Sequence, residues 1–141
     1  MEYLVDTNLL FDYYRGNQSA KNYFDMLKEG KVKFSISVIT ESEIWYGIKD
    51  DAELLYWLAL IDQVECINVD SKIARKAGDI FKKYGHYMGK TKKNDYRFMG
   101  DAFIAATAHV CDLKLLTANI KHFKQLESRD IIDCEAYSPD D

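Results

Sequence analysis

The sequence predicts an α/β fold in which helices cover a central, mainly parallel sheet of about five strands. Two observations carry that prediction. Short apolar runs alternate with helical patterns along the whole chain, and residues 102–110 are small and apolar almost all round. A helix of that composition packs closely against a sheet instead of lying on a surface.

Residues 3–5 read as the first strand, and Ala20, Tyr23, Phe24 and Leu27 then follow helical spacing. Phe34, Ile36 and Val38 alternate as a second strand. Leu54, Leu55, Leu58 and Ile61 mark the next helix, residues 66–69 a third strand, and Ile73, Ala74, Ala77, Phe81 and Tyr84 another helix. Residues 85–100 differ: Gly85, Gly89 and Gly100 punctuate a stretch crowded by Lys90, Lys92, Lys93 and Arg97, which reads as a loop or a broken helix. After the buried helix come residues 113–116 as a fourth strand. Ile120, Phe123 and Leu126 are spaced to pin a short helix, and residues 131–132 offer a fifth strand. The single proline, Pro139, sits in an acidic tail expected to fray from about residue 137.

At 141 residues, with 48% hydrophobic and 30% charged side chains, the chain fits one compact domain, 1–141, without linker or repeat. No apolar run approaches the roughly 20 residues that span a bilayer, which excludes a membrane protein of the helical kind. The N-terminus meets Glu2 at once and has neither a basic flank nor a small-residue cleavage site, so a cytoplasmic location is expected. Cys66, Cys111 and Cys134 are odd in number and lack CxxC spacing, and are expected as small core residues. His86 and His109 lack the partners a zinc site requires. A net charge of −4 argues against nucleic-acid binding driven by overall charge, so any attraction for RNA must be local.

Asp6 follows the first strand directly, with Thr7 and Asn8 behind it, where an open parallel sheet presents its ligand crevice. Glu43 lies just beyond the second strand in Thr40-Glu41-Ser42-Glu43-Ile44, and Asp101 opens the buried helix after Gly100. Each has a plain structural use when taken alone. Asp6 or Asn8 can cap a helix beginning near Leu9, Thr40 and Glu43 have the spacing of a capping box, and Asp101 meets the positive end of its helix. All three, however, fall at strand-to-helix transitions or helix starts, which in this architecture converge on the carboxyl edge of the sheet. Two carboxylates about 5 Å apart repel by roughly 3 kcal/mol at an effective dielectric of about 20. A cluster of three therefore needs a cation or raised pKa values. Oxygen ligands alone suit Mg2+ or Mn2+, with water completing the shell.

Leu4-Val5-Asp6-Thr7-Asn8, Glu43-Ile44-Trp45-Tyr46-Gly47, Asp101-Ala102-Phe103-Ile104-Ala105-Ala106-Thr107-Ala108 and Leu115-Leu116-Thr117-Ala118-Asn119 stand in succession. In this order they resemble the four motif blocks of PIN-domain nucleases, above all the VapC-type toxins of toxin–antitoxin pairs. The resemblance implies a three-layer α/β/α sandwich, a Mg2+- or Mn2+-dependent endoribonuclease, a homodimer and a cognate antitoxin partner. It assigns Asp6, Glu43 and Asp101 to the metal, Asn119 to the polar position of the fourth block, and Thr7 and Thr117 to hydrogen bonds around the ligands. Many members carry another acid before the phenylalanine of that block. Here His122 precedes Phe123, which leaves one or two metals open.

In such a site a bound metal would supply an activated water and stabilise charge on the phosphate, with attack in line and the 3′ oxygen leaving. Glu43 either binds the metal through water or takes the proton from the nucleophile, and the sequence leaves both open. Lys90, Lys92, Lys93 and Arg97, with Tyr96 and Phe98, form a candidate RNA-holding loop, in which cations meet phosphates and aromatics stack on bases. Tyr13, Tyr14, Tyr23, Trp45, Tyr46, Tyr56 and Trp57 make the first half aromatic, as core or as a groove for a partner. A catalytically dead scaffold that binds RNA or protein is the rival reading, because of His122. A phosphoacceptor signalling domain is remoter, since it wants an adjacent acid pair after the first strand and a lysine after the last.

Overall fold

The computed structural model describes residues 1–92, 95, 96 and 98–140. Its elements follow the chain as β1 (Glu2–Val5), α1 (Thr7–Tyr14), α2 (Gln18–Lys28), β2 (Lys33–Ser37), α3 (Val38–Gly47), α4 (Asp51–Ile61), β3 (Glu65–Ile67) and α5 (Ser71–Tyr84). A 3-10 turn (Gly85–Met88), α6 (Met99–Cys111), β4 (Lys114–Thr117), α7 (Ile120–Ser128) and β5 (Cys134–Ala136) complete it. The five strands form one sheet in the order β3-β2-β1-β4-β5, and every pairing is parallel. β1 is central, with Leu4 paired to Ser35 on one side and to Leu115 on the other.

Because side chains alternate along a strand, successive residues of β1 feed opposite cores. Tyr3 and Val5 join Leu9, Leu10, Phe24, Phe34, Ile36, Ile44, Trp57 and Leu60 beneath α1 to α4. Leu4 joins Ile73, Ile80, Phe81, Ile104, Leu115, Phe123 and Leu126 beneath α5 to α7. The result is a three-layer α/β/α sandwich, as expected. In α6, Ala102, Ala105, Ala106 and Ala108 are buried, so small side chains bring that helix close to its neighbours as its composition predicts.

Several boundaries differ from expectation, each for a reason that lies outside the local pattern. Val38 starts α3 instead of ending β2, because the Ser37 hydroxyl accepts from the Ile39 amide at 3.1 Å and turns the chain into a helix. The fifth strand falls at Cys134–Ala136, where Cys134 pairs with Leu115, while Ile132 only fills the core on the way there. The cysteines are not core residues: Cys111 is exposed at the end of α6, and Cys66 and Cys134 are half-buried. The start of the tail is pinned instead of frayed. Tyr137 is buried and donates to Asp12 at 2.5 Å, the Asn17 amide donates to the Ser138 carbonyl at 3.0 Å, and the Ser138 amide donates to the Ser19 hydroxyl at 3.1 Å. Among the described residues no helix is long and apolar enough to cross a membrane.

Candidate active site

Four helices have a side-chain cap: Asn17 for α2, Ser37 for α3, Asp50 for α4 and Asp70 for α5. The other three, α1, α6 and α7, have none. Asp6 and Asn119 hold the N-cap positions of α1 and α7, whereas α6 starts at Met99 after Phe98, so Asp101 does not open that helix but lies in its first turn. Asp6 occupies the N-cap position of α1, yet its carboxyl makes no capping bond. Ser37 takes the capping role on α3, so Thr40 and Glu43 are not a capping box but lie within the helix. The plain structural uses of these residues therefore account for none of them beyond the helix-end charge of Asp101.

Instead they share one cavity. Asp6, Thr7, Asn8, Glu43, Asp101 and Asn119 line about 240 Å³ of space with Phe98, Gly100 and His122. The cavity sits at the carboxyl edge where β1 and β4 part toward α1 and α7, the switch point at which parallel sheets bind ligands. A larger cleft of about 540 Å³ lies among residues that begin β1 and β4, lined by Glu2, Lys114 and Asp133 among others. Its histidine, His109, is engaged through Nδ1 by the Ile131 carbonyl at 2.6 Å. That cleft gathers none of the predicted residues.

Each acid of the smaller cavity has one carboxyl oxygen held by a side chain from another element. The Thr117 hydroxyl donates to Asp6 Oδ2 at 2.7 Å, the Thr7 hydroxyl to Glu43 Oε1 at 2.9 Å, and His122 Nδ1 lies 2.9 Å from Asp101 Oδ2. Thr7 is braced in turn by Thr40, hydroxyl to hydroxyl at 2.9 Å. Thr117 also accepts the Asn119 amide at 3.0 Å, which sets the start of α7. Burial drives Asp6 up to about 6, the Thr117 bond opposing and the charges of Asp101 and Glu43 adding to the rise. Glu43 is raised by burial, against its Thr7 bond, and by Asp101. Asp101 is raised by burial, with the bond and charge of His122 working the other way. Burial thus disfavours the charged form of all three carboxyls.

The fold brings the four residues expected from the sequence, Asp6, Glu43, Asp101 and Asn119, to one cavity, with His122 beside them. Thr40, read from the sequence as a capping partner of Glu43, instead braces Thr7, and Gly89, read as loop punctuation, shapes the cavity wall. Gly89 has φ +107°, and a Cβ there would stand 2.6 Å from the Phe98 ring. Glycine is what lets Phe98 close one wall of the cavity. Of the basic loop, Lys93 and Arg97 lie outside the described residues. Lys90 places its ammonium 5.0 Å over the Phe81 ring, Lys92 is exposed, and Tyr96 is exposed.

The sequence that forms this sheet and cavity matches the PIN domain family over residues 3–128, and the chain belongs to that family. Within it, the chain is 31% identical over 125 residues to Ribonuclease VapC10 of Mycobacterium tuberculosis, covering 88% of this chain and 87% of the relative. Ribonuclease VapC19 of the same organism is 30% identical over 122 residues, covering 85% and 90%. Among solved structures, a toxin–antitoxin complex from Klebsiella pneumoniae superposes with a TM-score of 0.71 at 26% identity, covering 97% of each chain. VapBC2 from Rickettsia felis, bound to a promoter DNA fragment, shares the fold with a TM-score of 0.75 at 22% identity, covering 98% of this chain and 100% of that one.

Proposed function

We propose that this chain is a divalent-metal-dependent endoribonuclease, the toxin of a toxin–antitoxin pair, acting on RNA in the cytoplasm. One observation carries the reading: three carboxylates from three elements face one cavity, each raised by burial and each braced by a side-chain donor. The donor set fits Mg2+ or Mn2+. The oxygen ligands are hard, and a cation would stabilise the charged carboxylates that burial disfavours. Among the described residues no three His, Cys, Asp or Glu side chains stand grouped as metal ligands, so the acids would hold the ion only by drawing in around it, with water completing the shell.

Asp6 and Asp101 would hold the ion directly, with Glu43 beside them. A bound divalent ion supplies a nucleophilic water at neutral pH and stabilises charge on the phosphate. Glu43, on the longer side chain and held by Thr7, would bind the ion through water or take the proton from the nucleophile. Asn119 offers its amide to the phosphate, and Phe98 forms an apolar wall that excludes water. Relatives named as ribonucleases and neighbours solved as toxin–antitoxin complexes support the activity and the partner. Trp45, Tyr46, Leu55 and Leu58 are exposed on α3 and α4 and offer apolar surface to an antitoxin or to a second copy in a homodimer.

The test is cleavage of single-stranded RNA by the purified chain, with Mg2+, with Mn2+ and with chelator. Cleavage should require the metal and vanish in folded Asp6→Asn and Asp101→Asn. A folded Asp101→Asn that cuts at the wild-type rate removes the assignment. Metal binding and RNA binding without cleavage in the wild type would favour a scaffold over an enzyme.

A further inference from the structure

The bond between His122 and Asp101 links a residue the acids do not account for to one of the acids. His122 sits in the first turn of α7, a helix fixed by the fully buried Phe123 and Leu126. Its ring lines the cavity, meets Phe98 edge-on at 6.0 Å between centroids, and places Nδ1 2.9 Å from Asp101 Oδ2. An ionised carboxylate only accepts, so Nδ1 carries the hydrogen of this bond. Thr117 does the same for Asp6, and Thr7 for Glu43. Three acids have three donors, each from a different element.

We propose that His122 is the positioning residue of Asp101, holding one carboxylate oxygen through Nδ1–H so that the other is kept for the cation. The inference rests on the metal reading above and adds the residue that orients its most exposed aspartate. A carboxylate pinned at one oxygen loses less rotamer freedom when the ion arrives, and donors of this kind are worth about 10- to 100-fold in metal affinity. His122 contributes in this way without adding a fourth negative charge to the cavity.

The experiment is calorimetric titration of Mn2+ into wild type, His122→Ala, His122→Asn and His122→Gln at pH 8, without RNA. The amide nitrogen of asparagine reaches the place of Nδ1, and that of glutamine the place of Nε2. His122→Ala and His122→Gln should bind about 10- to 100-fold more weakly, while His122→Asn should stay within about threefold of wild type. Retention by His122→Gln with loss in His122→Asn would instead make the ring a direct ligand through Nε2 and overturn the proposal. Equal affinity in all four proteins overturns it while leaving the metal reading intact, and a wild type that binds no Mn2+ brings down both. Imidazole 15N signals of the metal-free wild type give a check that needs no substitution. Nδ1–H is the expected tautomer, and Nε2–H overturns the assignment.

Discussion

Thr117, the last residue of β4, donates its hydroxyl at 2.7 Å to Asp6, the first residue after β1. The same oxygen accepts the Asn119 amide at 3.0 Å, so one threonine orients an acid and starts a helix. Both strands end side by side, with Val5 paired to Leu116, and their next residues meet at the cavity.

Thr117→Val should therefore leave a buried carboxyl and a backbone amide without that partner. The expected loss is about 1–3 kcal/mol of unfolding free energy at pH 8, read by urea denaturation. Thr117→Ser, which keeps the hydroxyl, should recover most of it. Equal stability in valine and serine variants would show that the bond matters little to the fold.

Stability without metal should depend on pH through Asp6. Its carboxyl stands at about 6 in the folded chain against an ordinary 3.8, raised by burial. The folded state therefore binds the extra proton between those values. The stabilisation is complete below the lower value and is lost as pH rises through the upper one, on the order of 3 kcal/mol in all. Glu43 and Asp101 shift in the same direction. Urea midpoints should be higher at pH 5 than at pH 8, and Asp6→Asn should flatten the decline.

Metal should reverse that loss, because a cation binds the native cavity and not the unfolded chain. At a hundredfold excess over its dissociation constant the gain is about 2.7 kcal/mol, several degrees of melting temperature. Scanning calorimetry with and without millimolar Mn2+ reads it. An equal upward shift in Asp6→Asn would place the ion elsewhere.

Gly89→Ala tests the wall formed by Phe98. Its φ of +107° and the 2.6 Å approach of the ring leave no room for a methyl group. The variant should lose about 1–3 kcal/mol and cleave RNA more slowly, as Phe98 withdraws from the cavity. A fully stable variant with intact cleavage would mean that this turn adapts without cost.

For the basic loop, Lys92→Gln with Lys93→Gln should weaken RNA binding and lower its salt slope by about 0.7 per lost phosphate contact. Lys90 already faces the Phe81 ring, so Lys90→Gln should change the slope less. Fluorescence anisotropy across salt concentrations separates the two. An unchanged slope in the double variant assigns the loop to solvent.

Much of this was open to a reading of residues in order. The alternation of apolar runs placed β1, α2, α4, α5 and α6 because helix and strand periods are local properties of the backbone. The acids stood out because strand ends and helix starts lie together in a parallel sheet. Strand ends were harder. β5 was displaced because Ile131 and Ile132 are as apolar as a strand, and only pairing with β4 decides which residues join the sheet. The tail was misjudged because its polar sequence carries no sign of the Asp12 carboxyl waiting for Tyr137.

What the sequence by itself determined, then, is the order of elements, and it nominated three acids and Asn119 as candidates that the fold gathers in one cavity. The tertiary structure decided which side chain holds which acid. Thr117 and Asp6 are 111 residues apart, Thr7 and Glu43 36, and His122 and Asp101 21, so no local period links them. Their pairing follows from the strand order, which sets β1 against β4 and brings the starts of α1, α6 and α7 to one edge. Burial at that edge then raises the carboxyl pKa values, a property that exists only once the layers have closed over the sheet.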